Sequence, residues 1–186
     1  GVCPSDRARL MVRCMRALAD QTDPDFECII INNNSTDNTH FLVQEFIAVN
    51  QAFLFRYFIE EKQGLSQARN RGVAEACGQI IIFLDDDAFA QPNYIGNMKQ
   101  FLNRFPEAKA GGGRIIPEFE SSRPKWMSKY LLPITSALDM GDTVKTFGRH
   151  AYPIGANMFF RKELFDKYGL FNTHLGRSGS NLEGAE

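Results

Sequence analysis

No apolar stretch in this chain approaches the roughly 20 residues that a membrane-spanning helix needs, and the opening Gly1-Val2-Cys3-Pro4 holds no signal-peptide hydrophobic core. A soluble chain is expected. An excess of one charge is lacking too: 21 Lys and Arg against 22 Asp and Glu leave a formal net charge of −1. That removes the broad electrostatic footprint of a nucleic-acid or anionic-membrane binder, so any such contact must be local and no nucleic-acid partner is expected. Cysteine is sparse. Cys3, Cys14, Cys28 and Cys77 form no CxxC pair and read as reduced core residues of a cytosolic protein. Neither a Walker nor a Rossmann glycine signature occurs, which weakens ATPase and dehydrogenase readings. What remains is 186 residues, 44% apolar and 12% aromatic, enough for one well-packed domain.

Leu10, Met11, Cys14, Met15 and Leu18 recur at spacings of three and four, which predicts an amphipathic helix over 7–19. A buried strand over 26–31 follows. The polar loop 32–37 then leads into a helix that runs through Val49, capped by Ser35, Thr36 or Asp37 and burying Leu42, Phe46 and Val49. Next come a strand over 53–59, a helix opening near Ser66 that ends where Gly78 takes a left-handed position, and a short apolar strand over 80–84. Pro92 suits the first turn of a further helix, with Ile95, Met98 and Phe101 or Leu102 inward. This alternation specifies an α/β layered domain with right-handed crossovers. The first helix has no strand before it, so the first strand of the pattern is expected to be missing. After Ala110 the texture changes. Gly111-Gly112-Gly113 permits close backbone approach, 116–142 is weakly periodic, 153–160 reads as a loop entering a buried strand, and 161–168 as a short helix closed by Gly169. The small, polar 176–186 reads as a mobile loop.

Asp85-Asp86-Asp87 stands at the exit of Ile80-Ile81-Ile82-Phe83-Leu84, a continuous apolar run of the kind a parallel strand covered on both faces requires. In extended backbone Asp85 and Asp87 point to one side and Asp86 to the other. Two carboxylates about 5 Å apart repel by roughly 1–3 kcal/mol, so a divalent cation would offset a real cost. Oxygen-only ligands favour Mg²⁺ or Mn²⁺ over Zn²⁺. The competing reading is a solvated acidic turn. Ligands of open α/β sheets bind outside the carboxyl ends of strands, so 32–35 and 85–87 are expected to line one crevice. Asn32, Asn33 and Ser35 suit a base edge or ribose hydroxyls; the competing reading is a tight turn built on left-handed backbone. Ser66 to Gly72 opens a helix whose first-turn amides suit an anion, with Arg69 adding a charge-assisted contact. The alternative is an exposed basic face paired with Glu60 or Glu61. Arg123 to Leu132 interleaves basic and large apolar groups and is expected to pack on the core rather than to dock an acceptor or a membrane surface.

The segments 26–39, Ala68-Arg69-Asn70-Arg71-Gly72 and Phe83-Leu84-Asp85-Asp86-Asp87, in that order and spacing, resemble the inverting, bacterial-type family-2 glycosyltransferases of GT-A fold. Gly155 to Arg161 and Gly169-Leu170-Phe171-Asn172 resemble that family's acceptor side. The resemblance implies a three-layer α/β/α sandwich on a mostly parallel mixed sheet, with a nucleotide-sugar half over 1–110 and an acceptor half over 111–186. It implies metal-dependent, inverting sugar transfer from a nucleotide-diphosphate sugar, with a UDP-sugar favoured, to a carbohydrate or lipid-linked acceptor. Polysaccharide biosynthesis and a cytoplasmic location, peripheral at the inner face of the membrane, go with it. Position by position, Asp85 and Asp86 match residues facing the ribose or diphosphate of a DxD motif, Asp87 matches its Mn²⁺ or Mg²⁺ ligand, and Arg69 an arginine on the donor nucleotide. Asn32 stands where the family usually has an aspartate that reads the base. Leu182 to Glu186 resembles the start of the acidic motif carrying the general base, Glu186 being that base or the residue just before it.

Two other readings compete. One is a non-catalytic nucleotide-sugar-binding fragment. The other is a haloacid-dehalogenase-like phosphatase with Asp85 as nucleophile, against which stand Phe89, where that family has Thr or Val, and the motif's position deep in the chain.

Overall fold

The computed structural model of the protein describes residues 4–51, 54–120, 122–149 and 151–175. Helix α1 spans Pro4–Ala19 and turns Cys14, Met15 and Leu18 into the core, where they meet Ile30, Val43, Phe46 and Phe55. Strand β1 (Glu27–Asn32) and strand β2 (Leu54–Ile59) run parallel, Glu27 opposite Leu54 through Asn32 opposite Ile59. Helix α2 (Thr39–Val49) crosses between them. Its buried residues are Val43 and Phe46, while Val49 is exposed, one residue's rotation from the expected face. Asn38, just before the helix, makes no capping bond with its side chain; the Asp37 carboxylate, one of the three expected caps, accepts the N–H of the first helical residue, Thr39, at 3.0 Å. Burying a side chain such as Met15 or Val43 contributes about 1.5–3 kcal/mol, so this cluster is a principal source of stability.

Helix α3 (Leu65–Glu75) begins after Gly64, whose φ of 137° only glycine adopts readily. It ends at an extended Ala76, not at a left-handed Gly78. The Gly78 amide is claimed by Glu27, which also accepts the Cys77 N–H and the Arg56 guanidinium, and this holds the turn extended. Cys77 is consequently exposed, while Cys14 is buried and Cys28 half-buried.

Strand β3 (Ile80–Leu84) leads through helix α4 (Tyr94–Arg104) to the short strand β4 (Ala110–Gly112). Strand β5 (Asn157–Arg161) then inserts between β3 and β4, antiparallel to both, and helix α5 (Glu163–Tyr168) closes at Gly169 with φ 86°. The α/β class is as expected, but parallel pairing among the described residues is confined to β1 and β2, and β3 has an antiparallel neighbour. A continuous apolar run reports burial on both faces, not the direction of the next strand. Here that direction is set by the irregular return over 113–156. Gly111 to Gly113 make the close approach anticipated for them: a Cβ on Gly111 would stand 2.5 Å from the Phe159 ring, and one on Gly113 2.5 Å from Asn157 Nδ2.

Gln21 is buried and makes three hydrogen bonds, donating to the Ala17 and Gln91 carbonyls and accepting the Ile95 N–H. It ties the end of α1 to the first turn of α4, supplying a partner that a helix N-terminus otherwise lacks. No strand precedes α1 among the described residues, and β1 and β3 each stand at a sheet edge. Residues of both strands line a crevice of about 1310 Å³ that runs along their length and reaches the loops at their carboxyl ends.

Candidate functional site

Asp85, Asp86 and Asp87 all line that crevice. The two-sided alternation expected for them does not apply, because the strand ends at Leu84 and the Asp85 carbonyl accepts the Ala88 N–H at 3.0 Å, closing a turn. Asp87 is exposed. Asp86 accepts the Arg7 Nε–H at 2.8 Å, and this bond raises the Arg7 pKa further. With the Arg7 side chain 70% exposed, the pair contributes little to stability and is free to rearrange around a ligand. Cys14 lies beneath the acids, its Sγ 3.8 Å from the Asp85 carbonyl. Burial first, and the carboxylates of Asp86, Asp87 and Asp85 after it, push its thiol up to about 12. The buried thiol is therefore held in its neutral form near pH 7.

Across the crevice the Asn run divides its labour. Asn34 is left-handed at φ 60°, so the tight turn is present. Asn33 spends both amide hydrogens on the Glu60 and Lys62 carbonyls and accepts the Gly64 N–H at 2.8 Å, bracing one loop against the other. Asn32 is buried at 7% exposure; it accepts the Ser35 N–H at 2.8 Å and donates to the Tyr57 hydroxyl at 2.7 Å. That hydroxyl also faces His40 Nδ1 at 3.0 Å. Asp37 joins the rim, its carboxyl held below the usual range by the Thr39 hydroxyl and N–H.

Helical rotation gives each residue of 69–72 a different task. Arg69 is buried, lines the crevice and sets its guanidinium 5.7 Å from the centre of the Phe171 ring. Asn70 clamps the Phe171 backbone, donating to its carbonyl and accepting its N–H, both at 2.9 Å. Arg71 pairs with Glu75 one turn on, and Gly72 admits Ile31. The exposed basic face paired with Glu60 or Glu61 is therefore not what forms.

The antiparallel register sets Asn157 opposite Leu84 and so beside the acidic turn. Its Oδ1 accepts the Tyr94 hydroxyl at 2.6 Å, and burial pushes the Tyr94 phenol well up, keeping it a donor. Tyr94 and 154–156 line the crevice with the acids.

Every donor-side residue anticipated from sequence thus reaches one crevice: Asn32, Asn33, Ser35, Arg69 and Asp85 to Asp87. Glu186 lies outside the described residues, as does the loop expected over 176–186. Arg7, Tyr57, His40 and Tyr94 carry no sequence signal of this kind, since nothing in local spacing marks a side chain that reaches a site from a distant element; Asn157 lies in the segment expected on the acceptor side. Among the described residues no three His, Cys, Asp or Glu side chains converge as a ready-made metal cage. The donor set instead fits a hard cation that takes one or two carboxylate oxygens from the protein and the rest from phosphates and water.

Comparison with known proteins bears on this arrangement. The family model described as "Glycosyl transferase family 2" matches residues 6–169. A glucosyl-dolichyl phosphate glucuronosyltransferase of Haloferax volcanii is 24% identical over 163 residues, covering 86% of this chain and 50% of its own length. A mannosyltransferase of Pyrobaculum calidifontis, solved with GDP-Man and Mn²⁺, superposes with a TM-score of 0.66 at 21% identity over 92% of this chain and 46% of that one. TarS of S. aureus, solved with UDP-GlcNAc, gives 0.70 at 16% identity over 96% and 48%. The chain spans about half the length of these relatives. At such identities the structural likeness is one of fold, and the GT-A-like α/β architecture is the one observed.

Proposed function

The chain belongs to glycosyl transferase family 2, and on that footing we propose that it transfers a sugar, with inversion, from a nucleoside-diphosphate sugar to an acceptor hydroxyl with the aid of a divalent cation. The observation that carries this reading is that Asn32, Arg69 and Asp85 to Asp87 all line one crevice, with Asn32 and the acids at strand exits. Relatives solved with GDP-Man and with UDP-GlcNAc support the donor class, and a UDP-sugar is favoured here. The glucosyl-dolichyl phosphate in a relative's name supports a lipid-linked sugar as acceptor alongside free carbohydrate. The protein works on the cytoplasmic face of the membrane as a peripheral enzyme, with 1–110 serving the donor and 111–186 the acceptor.

Asn32 retains one amide hydrogen for the base, Ser35 offers its hydroxyl to base or ribose, and Asn33 shapes the loop around them. Arg69 brings a buried positive charge to the nucleotide. Asp85 and Asp86 face ribose and diphosphate. Asp87, exposed and oxygen-bearing, would hold Mn²⁺ or Mg²⁺, whose charge would neutralise the departing diphosphate. The acceptor oxygen attacks the anomeric carbon from the face opposite the leaving group. Its proton passes to a carboxylate base, assigned to Glu186, as the bond from sugar to phosphate breaks. An oxocarbenium-like transition state follows from the chemistry of glycosyl transfer.

Calorimetry of UDP and GDP with and without Mn²⁺ tests the reading. Because the chain offers few ligands of its own, metal and nucleotide should bind together far more tightly than either alone. Asp87→Ala should abolish the metal-dependent part while leaving the unfolding midpoint nearly unchanged, as is usual for an exposed position. Wild-type affinity in that variant would sink the assignment. Donor hydrolysis separates a transferase from a module that binds without reacting.

A further inference from the structure

We infer that the exposed segment carrying Trp126, Tyr130 and Ile134 docks on an anionic lipid surface. Residues 123–132 were expected to pack their apolar face on the core, and the structure does this only in part: Trp126 and Tyr130 within it, and Ile134 just beyond it, are 72%, 81% and 79% exposed. They project from a stretch that runs into a 3-10 helix (Lys129–Thr135), while Leu131 and Leu132 are half-buried and hold the segment to the body. A reciprocal pair of backbone hydrogen bonds between Ile115 and Leu138 closes its far end. The exposure therefore belongs to an anchored element.

Charge identifies what covers it. From Ser122 to Leu138 the chain has Arg123, Lys125 and Lys129 and no acidic residue; of the flanking acids Glu118, Glu120, Asp139 and Asp142, Glu118 is paired with Arg13 and the two aspartates with Arg114, in a protein whose formal net charge is −1. Arg123 folds back to donate twice to the Met127 carbonyl, and the Lys129 ammonium sits 5.2 Å from the centre of the Tyr130 ring. Cations are thus held beside the aromatics. Trp and Tyr are the side chains that settle at the level of lipid headgroups, and each adjacent Lys or Arg adds about 1 kcal/mol of attraction to an anionic leaflet. The segment leads directly to Ser136, which lines the crevice together with Tyr152. Docking would bring the mouth of the crevice to the bilayer, where a lipid-linked acceptor is presented. In this purpose, though not in its physical basis, the inference rests on the acceptor reading above.

Trp126 is the only tryptophan in the chain, so its emission reports on this face alone. Vesicles of phosphatidylcholine mixed with phosphatidylglycerol, titrated into the chain, should shift that emission to the blue and saturate. Phosphatidylcholine alone should bind far more weakly, and added salt should reverse the effect. Lys125→Ala with Lys129→Ala should weaken the partition by roughly 30-fold, at about 1 kcal/mol for each charge removed. Trp126→Ala, followed by vesicle sedimentation, should weaken it as well, with circular dichroism and unfolding midpoint unchanged in both variants. Equal binding to neutral vesicles overturns the inference, as does wild-type partition in the lysine variant, or emission already blue-shifted without lipid, which would mean that protein covers the face. UDP affinity measured without lipid keeps the two readings apart: nucleotide binding with no vesicle binding defeats only this one.

Discussion

Replacing Tyr57 by phenylalanine removes a single oxygen that holds Asn32 of the crevice lining, and the structure says what that oxygen does. Asn32, at 7% exposure, donates to it at 2.7 Å, and it faces His40 Nδ1 at 3.0 Å. The ring itself keeps its edge contact with His40, at 5.3 Å between centroids, so packing survives the change. The variant leaves a buried amide hydrogen without a partner, which costs about 1–3 kcal/mol. In a chain of this size each kcal/mol lowers the unfolding midpoint by roughly 2–4 °C, so a fall of about 2–12 °C is expected by calorimetry. Asn32 also loses one of the two bonds that fix its rotamer. Re-immobilising it on binding costs about 0.5–1.5 kcal/mol, which weakens UDP affinity by roughly 2- to 12-fold. The pair should be coupled: Asn32→Ala should be less damaging when Tyr57→Phe is already present than in the wild type. Unchanged midpoint and affinity, or strict additivity in the cycle, would show that Asn32 is not held by Tyr57 and refute its place in donor recognition.

Gln21→Leu should destabilise the fold by roughly 2–4 kcal/mol in urea unfolding, because it removes the partners of the Ile95 N–H and the Ala17 carbonyl at once, while the Gln91 carbonyl keeps the Tyr94 N–H. Gly113→Ala pushes on Asn157 Nδ2 from a nominal 2.5 Å, so donor turnover should fall more than thermal stability does. Glu27 supplies a pH signature. Burial raises its pKa, but the Cys77 and Gly78 amides and Arg56 together outweigh it, so the folded-state value is lowered. Stability from this group is therefore complete above the ordinary glutamate range and drains away as pH falls through the depressed value. Glu27→Gln should flatten that acid limb, and an unaltered limb would contradict the network.

Much of the framework was readable without coordinates. Apolar residues at spacings of three and four produced α1, and continuous β-branched runs produced β1 and β3, since burial of a helix face or a strand leaves a local periodic trace. Strand exits in an α/β chain gather at one end, so the crevice and its donor-side residues followed from order alone. Tertiary structure decided what no local trace records. Strand direction depends on the route of the intervening chain, and β5 returned antiparallel through irregular backbone. Turn closure at Asp85 cancelled the alternation that an extended strand imposes. Asn33 became a brace rather than a ligand because its partners, Glu60, Lys62 and Gly64, arrive from another loop. The segment around Trp126 stayed exposed because mixed basic and aromatic residues are compatible with either a packed or an open face. The choice turns on what the rest of the fold sets against them, a non-local quantity that composition does not contain.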